Sequence, residues 1–313
     1  MGQRSVIVIG ASGFVGSAVV RELHARGAGV VEVRAPRLRP TLPDRATDAM
    51  GSLGDDIAEF ARRLTGVDAV VNAAGLAEAT SAHVGSLTAA NALLPGFIAT
   101  ACAVADVPRF VHVSSAAVQG RAKTLDASPG GEPLSPYARS KALGERLVRL
   151  ANSNAVVYRP PGVHGESRGV SRTMARLARS PLASVARPGS SPSPQALLRN
   201  VADAIAFLAM TAAEPPPIVA HPSEGLTTAG LLELLGGRAP HEIPRPLARG
   251  TVALLTAVGR AVPYVGANAR RVEMLWLGQR QATSWLSEVG WEPPLGLEAW
   301  RMLGRAPADA SPD

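Results

Sequence analysis

One cysteine, Cys102, stands in 313 residues, which excludes an internal disulfide and any multi-cysteine metal centre. Small apolar packing is the role expected for it. Aromatic residues make up only 4%, so platforms for stacking nucleic-acid bases are scarce. Lysine is nearly missing too, with Lys123 and Lys141 the only two. The net charge of +7 therefore rests on arginines dispersed along the chain. That reads as a surface biased towards anionic ligands, not as a nucleic-acid stripe. No apolar run approaches the ~20 residues of a membrane span. The longest candidate, Thr251 to Val265, is broken by Arg260 and Pro263. Val6 to Ile9 is too short for a signal peptide, and a glycine-rich turn follows it. A cytoplasmic protein is expected. His112 and His164 are single histidines beside strands with no ligand company, so no metal is expected.

What is present is an alternation of strand and helix signals in the first half, which implies a parallel sheet in an α/β fold. Strands are expected at Ser5 to Ile9, Val30 to Arg34, Asp68 to Asn72, Phe110 to Ser114 and Ala155 to Arg159. Helices are expected at Phe14 to Arg26, Ile57 to Leu64, Leu87 to Ala105 (kinked by Pro95) and Pro136 to Ala151. The stretch Pro36 to Gly54 is irregular, and no strand is evident in it. Later come a loop at 187–195, a helix from Val201 to Met210, a strand from Ile218 to Ala220 and a helix from Thr228 to Leu235. Residues 245–271 read as one or two basic amphipathic segments. There are no internal repeats.

The most informative motif is Tyr137-Ala-Arg-Ser-Lys141. With three tyrosines and two lysines in the chain, chance gives this spacing with a probability of roughly 0.02. On a helix the phenol and the ammonium share one face, one turn apart. A cation beside a phenol favours the phenolate, which makes tyrosine usable for proton transfer near neutral pH. Ser135 is a candidate N-cap and Pro136 suits the first helical position, so Tyr137 sits in the first turn.

Gly10-Ala-Ser-Gly13-Phe-Val-Gly16 lies between a strand and a helix, where glycines let backbone approach a pyrophosphate. At the end of the second strand, where a ribose-binding acid is common, the chain has Arg34, with Arg37 nearby. Arginine suits the 2′-phosphate of NADP. Glu32 is the rival, but it lies inside the strand. Asn72-Ala73-Ala74-Gly75 ends another strand and suits either close nucleotide approach or helix packing. Ser114 and Ser115 follow a strand at the sheet edge where ligands bind, although a serine pair there also serves turns. Asn91 is equally readable as a solvated helix residue.

Together these residues resemble the extended short-chain dehydrogenase/reductases, the NAD-dependent epimerase/dehydratase family. The resemblance runs through GASGFVG, Asn91, RFVHVSSAAVQG, SPYARSKALGE, VVYRPPGVHG, NVADAIA around Asp203 and LSEVGWEPPLGLEAW. It implies a Rossmann-type, doubly wound sheet of seven parallel strands with a smaller C-terminal substrate-binding lobe. Residues 1–165 and about 195–222 would form the dinucleotide domain. Residues 166–194 and 223–305 would form the lobe, with a frayed tail over 306–313. Ser115, counted back from Gly120, Tyr137 and Lys141 would be catalytic. Gly10, Ser12, Gly13, Phe14, Val15, Gly16, Arg34, Arg37, Ala73, Ala74, Gly75, Asn91, Ser114, Tyr137, Lys141, Pro160, Gly162 and Val163 would hold NADP(H), with NAD(H) the alternative.

The downstream segments look most like nucleotide-sugar 4-ketoreductases and 4-epimerases. Ser115, Ala116 and Tyr137 would then face the sugar, and Arg271 the diphosphate. Three positions depart from that pattern. An arginine is replaced by Ala196, an asparagine by Val170 or Ser171, and a tyrosine by His164. Arg172 or Arg199 would have to substitute. The alternative substrate is a ketone without a nucleotide, such as a hydroxysteroid-like or polyketide ketone. Dimerisation through a helix pair is usual for the resemblance.

Overall fold

The structure is a computed structural model that describes residues 3–77, 83–261 and 263–305. Its centre is a six-stranded parallel sheet. The first part of the chain forms β1 (Ser5–Ile9), α1 (Phe14–Ala25), β2 (Gly29–Val33), α2 (Ala46–Gly51), α3 (Gly54–Arg62), β3 (Ala69–Asn72), α4 (Val84–Thr88), α5 (Leu94–Val104), β4 (Arg109–Val113), β5 (Thr124–Leu125), α6 (Pro136–Ala151) and β6 (Ala155–Arg159). The second part adds β7 (Gly162–His164), α7 (Gly169–Arg179), β8 (Ser184–Ala186), β9 (Gln195–Leu197), α8 (Leu198–Met210), β10 (Ile218–Ala220), α9 (Thr228–Gly236), β11 (His241–Ile243), α10 (Arg245–Ala261), α11 (Pro263–Leu277), β12 (Arg280–Gln281), α12 (Trp285–Glu288) and α13 (Leu297–Arg305).

The strand order is β10-β6-β4-β3-β1-β2. Strand neighbours change direction at β1 and β3, and the crevice outside their carboxyl ends is where open α/β sheets bind ligands. Alternate residues of each strand enter opposite cores. Val6, Val8, Val111 and Val113 pack under α1 and α8, while Ile7, Ile9, Val70 and Val157 pack under α3, α5 and α6. Burial on both faces explains why these strands read as continuous apolar runs.

The expected seventh strand is not formed. The segment after β2 carries Pro36, Pro40 and Pro43 and becomes extended chain and a short 3₁₀ turn. Prolines lack the N–H donor a sheet edge needs. The apolar helical run Val84–Val104 is long enough to cross a membrane, a stretch the sequence reading passed over, but 78% of its most apolar window is buried in the fold. The kink expected at Pro95 takes the form of a π-helical segment, Ala89–Leu93, just before it.

A smaller core lies beyond the sheet, where Ala178, Val185, Leu231, Leu232, Leu235, Trp300 and Leu303 meet. Glu224 ties this core to the start of α8. Its carboxylate accepts from the Leu197 amide at 3.0 Å, from Asn200 Nδ2 at 2.9 Å and from Trp300 Nε1 at 3.0 Å. Strand β12 pairs with β5, so the C-terminal segments also grip the loop after β4. The proposed tail over 306–313 lies outside the described residues.

Candidate active site

The glycine turn forms as its sequence requires. Gly10 has φ +85°, and a Cβ there would lie 2.5 Å from the Ala74 nitrogen. A Cβ on Gly16 would lie 2.0 Å from the Gly10 carbonyl oxygen. A side chain at Gly10 would force the turn away from the 73–75 segment, and one at Gly16 would force α1 away from the turn itself. No side chain caps α1, so its first-turn amides are left facing the crevice. Arg34 and Arg37 are exposed just past β2, and neither makes a side-chain hydrogen bond or ion pair among the described residues. This cradle fits the pyrophosphate of a dinucleotide.

Helix α6 begins as expected, with Ser135 Oγ accepting from the Ala138 amide at 3.1 Å and Pro136 in the first turn. Lys141 is buried and donates to the Val113 carbonyl at 3.0 Å. Burial pulls its pKa down to about 8, against an upward pull from Glu145. A Cβ on Gly75 would lie 3.2 Å from Lys141 Nζ. The lysine therefore touches the same strand end that abuts the Gly10 turn. One turn earlier, Tyr137 is half-buried. Ser115 sits just past β4 and caps the 3₁₀ turn Ala116–Gln119; its Oγ accepts from the Ala117 amide at 3.2 Å. Its own proton remains for donation elsewhere.

Other candidates serve as supports. Asn91 accepts from the Leu76 amide at 2.9 Å and donates to Leu76 O and Ser140 Oγ, both at 3.1 Å. It clamps the 75–76 segment to the Tyr–Lys helix and is fully buried, not solvated. Ser114 is turned away from the crevice. Its hydroxyl donates to Glu145 Oε1 at 2.5 Å. Pro160 accepts from the Ala116 amide at 2.9 Å, and Val163 is buried beside it. Gly162 is exposed, and a Cβ on it would overlap Gln195 Oε1.

A sequence profile of the NAD dependent epimerase/dehydratase family matches residues 6–198. The chain belongs to that family. It is similar to the probable low-salt glycan biosynthesis reductase Agl14 of Haloferax volcanii, 31% identical over 164 residues, 50% of this chain and 53% of that one. It is also similar to the ceramide reductase of Caulobacter vibrioides, 32% identical over 172 residues, 51% and 46% of the two chains. The chain thus spans about half the length of the curated relatives it matches. Three solved structures share its fold. They are UDP-glucuronic acid 4-epimerase from Bacillus cereus with NAD (TM-score 0.63, 18% identity, 97% of both chains), dTDP-4-dehydrorhamnose reductase from Bacillus anthracis with NADP (0.61, 16%, 97% and 98%) and human epimerase family protein SDR39U1 with NADPH (0.64, 21%, 96% and 99%).

The epimerase/dehydratase site has one member the sequence reading missed. Arg168 donates to the Val163 carbonyl at 2.6 Å and stacks over the Phe14 ring at 5.2 Å. Burial pushes its pKa down, and a charge on Tyr137 pulls it back up. Arg168 therefore packs against the glycine turn at Phe14 and lies within electrostatic reach of Tyr137. Its one advance signal was a place soon after the VHG segment.

Of the arginines expected at a diphosphate, Arg199 is not brought to the site. It pairs with Glu22 of α1 at 3.0 Å, about two helical turns from the glycine loop. Its helix begins at Leu198 and packs on α1, so it points along that face. Arg172 is half-buried on α7, and Arg271 is exposed on α11. His164 donates from Nε2 to Gln195 Oε1 at 2.9 Å and accepts at Nδ1 from Ser171 Oγ at 3.2 Å. Burial lowers its pKa to about 4, which keeps it neutral. A cavity of about 480 Å³ opens between the loop after β4 and the start of β12, lined by Lys123, Arg245, Arg280, Ser190 and Ser191. None of the three cations has a side-chain partner among the described residues.

Proposed function

We propose that this chain is a cytoplasmic NADPH-dependent reductase of the 4-keto group of a nucleoside-diphosphate sugar. The observation that carries the reading is the position of Lys141, tied to the end of β4, touching the strand end beside the glycine turn and one helical turn from Tyr137. Family membership and the names of the similar proteins support a nicotinamide cofactor. Arg34 and Arg37 support the 2′-phosphorylated form.

The first-turn amides of α1 and the Gly10 turn would hold the pyrophosphate, and Arg34 with Arg37 the ribose phosphate. The cofactor, when bound, supplies hydride to the carbonyl carbon. Tyr137 gives its phenolic proton to the carbonyl oxygen. Ser115 donates a second hydrogen bond to that oxygen and fixes its place. The charge on Lys141 stabilises the phenolate left behind. Lys123, Arg245 and Arg280 support an anionic substrate and offer the charge that Ala196 cannot.

The test is turnover of NADPH on a panel of nucleoside-diphosphate 4-ketosugars. Tyr137→Phe should lower turnover by roughly 10²–10⁴ while NADPH still binds. Full activity in that variant would exclude the mechanism. A 4-epimerase that retains NAD is the second reading, and NAD carried through purification and dialysis would favour it.

A further inference from the structure

The side chain of Gln195 stands where residue 162 has none. Gln195 opens β9 and lies opposite Gly162 of β7 in parallel register. A Cβ on Gly162 would lie 2.0 Å from Gln195 Oε1 and 3.1 Å from its Cδ. The amide therefore fills the room that a side chain at 162 would take. Gly162 is exposed and Gln195 is half-buried.

A run of hydrogen bonds fixes which end of the amide is which. Gln195 Oε1 accepts from His164 Nε2 at 2.9 Å, so that nitrogen carries the ring proton. His164 Nδ1 accepts from Ser171 Oγ at 3.2 Å, and Ser171 Oγ accepts from the Gly165 amide at 3.1 Å. His164 and Ser171 are buried, and burial brings the imidazole pKa down to about 4, so the ring stays neutral. With Oε1 committed, the group left over is the Nε2 donor. It makes no hydrogen bond among the described residues, and it is not sealed from water. A donor held from behind by a buried relay is preorganised for an acceptor in front of it.

Strand geometry decides which side that donor serves. Side chains alternate across a strand. Val163 and Ala196 enter the core shared with α1 and with Phe14 of the glycine turn. On the other face Leu197 enters the smaller core, and the His164 ring lies 5.4 Å from Trp300 of that core. Gly162 and Gln195 belong to this second face, away from α1. They are also close to the chemistry. Pro160 accepts from the Ala116 amide, beside Ser115, and the chain from Pro160 to Gly162 spans at most about 7 Å. That is the scale of one sugar ring with its hydroxyls.

We propose that Gln195 is a substrate-specificity residue, its Nε2 donating to the oxygen of a ring hydroxyl beside the carbonyl that Ser115 and Tyr137 address. This rests on the nucleotide-sugar reading and adds to it the contact that selects a hydroxylated ring. A neutral amide suits a neutral oxygen, whereas the cations of the cavity suit the diphosphate.

The test compares two probes, thymidine-diphosphate 4-keto-6-deoxyglucose and its 3-deoxy analogue, with NADPH and the purified protein. The wild type should prefer the hydroxylated probe by about fivefold to tenfold in kcat/KM. Gln195→Met, similar in length and unable to donate, should bring the ratio between probes near one, chiefly by raising KM for the hydroxylated probe. The ratio is read within one variant, so lost stability from the unserved His164 N–H does not imitate it. Gly162→Ala, whose methyl has to displace the amide, should lower the same ratio and serves if Gln195→Met does not fold. NADPH binding by Gln195→Met should match the wild type, because the amide faces away from α1. Equal reduction of both probes by the wild type, or a ratio kept in both variants, overturns the proposal and leaves the reductase reading standing. So does a loss of NADPH affinity in Gln195→Met with the ratio unchanged, which would give the amide to the cofactor. Reduction of neither probe overturns it too, while failure across the whole panel of 4-ketosugars is what sinks the nucleotide-sugar reading.

Discussion

Glu145 and Arg159 form a two-pronged ion pair, Nε to Oε1 at 2.9 Å and Nη2 to Oε2 at 2.6 Å, with both side chains almost sealed from water. Glu145 stands one turn beyond Lys141 on α6, and Arg159 ends β6. Ser114 adds a third bond to the same carboxylate, and Arg159 also donates to the Ser128 carbonyl at 2.8 Å. The cluster keys the Tyr–Lys helix to two strand ends. Removing one partner leaves the other charge buried and alone. Glu145→Gln should therefore cost about 3–5 kcal/mol of stability, read from urea unfolding. Pairing it with Arg159→Met should recover part of that loss. Additive losses would show that the two residues act separately.

Lys141 sets a pH dependence with opposite signs for stability and activity. Its folded pKa is about 8, against the usual 10.5. Below about 8 the lysine is charged in both states, and the folded state bears the cost of the buried charge. Between those values the folded chain sheds the proton first, so stability gained at this site rises with pH and is lost as pH falls through about 8. The wild type should gain on Lys141→Met in unfolding free energy across that window. Catalysis needs the charge, so kcat/KM for reduction should fall as pH rises through about 8. A flat profile to pH 10 would deny Lys141 its electrostatic role.

Much of this architecture was legible in advance, for identifiable reasons. Helix α6 runs from Pro136 to Ala151 as read, because Ser135 and Pro136 announce its start chemically. The central strands are buried on both faces and so stand out as apolar runs. The strands outside the central sheet were hidden, because β7, β8, β9, β11 and β12 are two or three residues long, too short to display a period of two. Ser114 and Ser115 look alike in sequence. Only the fold turns one towards Glu145 and frees the other. Asn91 owes its role to a π-helical turn that no local pattern signalled, and Arg199 was lost to a partner 177 residues away.

Arg34 and Arg37 should decide between cofactors. Both are exposed past β2 without partners among the described residues. A charge-assisted bond to a phosphate is worth about 1.5–3 kcal/mol, so Arg34→Asp should weaken NADPH binding by about tenfold or more. NADH binding should be unchanged or tighter, because a carboxylate suits ribose hydroxyls. Fluorescence titration with the two dinucleotides measures the ratio. An unchanged ratio in Arg34→Asp and in the double variant with Arg37→Asp would place the discriminating contact elsewhere.

Arg168 is a cation within electrostatic reach of Tyr137, and its effect should be separable from packing. Stacking on Phe14 contributes about 0.5–1 kcal/mol and the bond to the Val163 carbonyl about 1.5–3 kcal/mol, so Arg168→Leu should cost about 2–4 kcal/mol of stability. Loss of its charge, however, raises the cost of the phenolate that proton donation leaves behind. The expected result is a fall in kcat of about tenfold, with the acid limb for alcohol oxidation displaced to higher pH. Arg168→Lys should restore part of the rate, because a cation returns. A variant that melts earlier but keeps the wild-type pH profile would mean that Arg168 only props the glycine turn against β7.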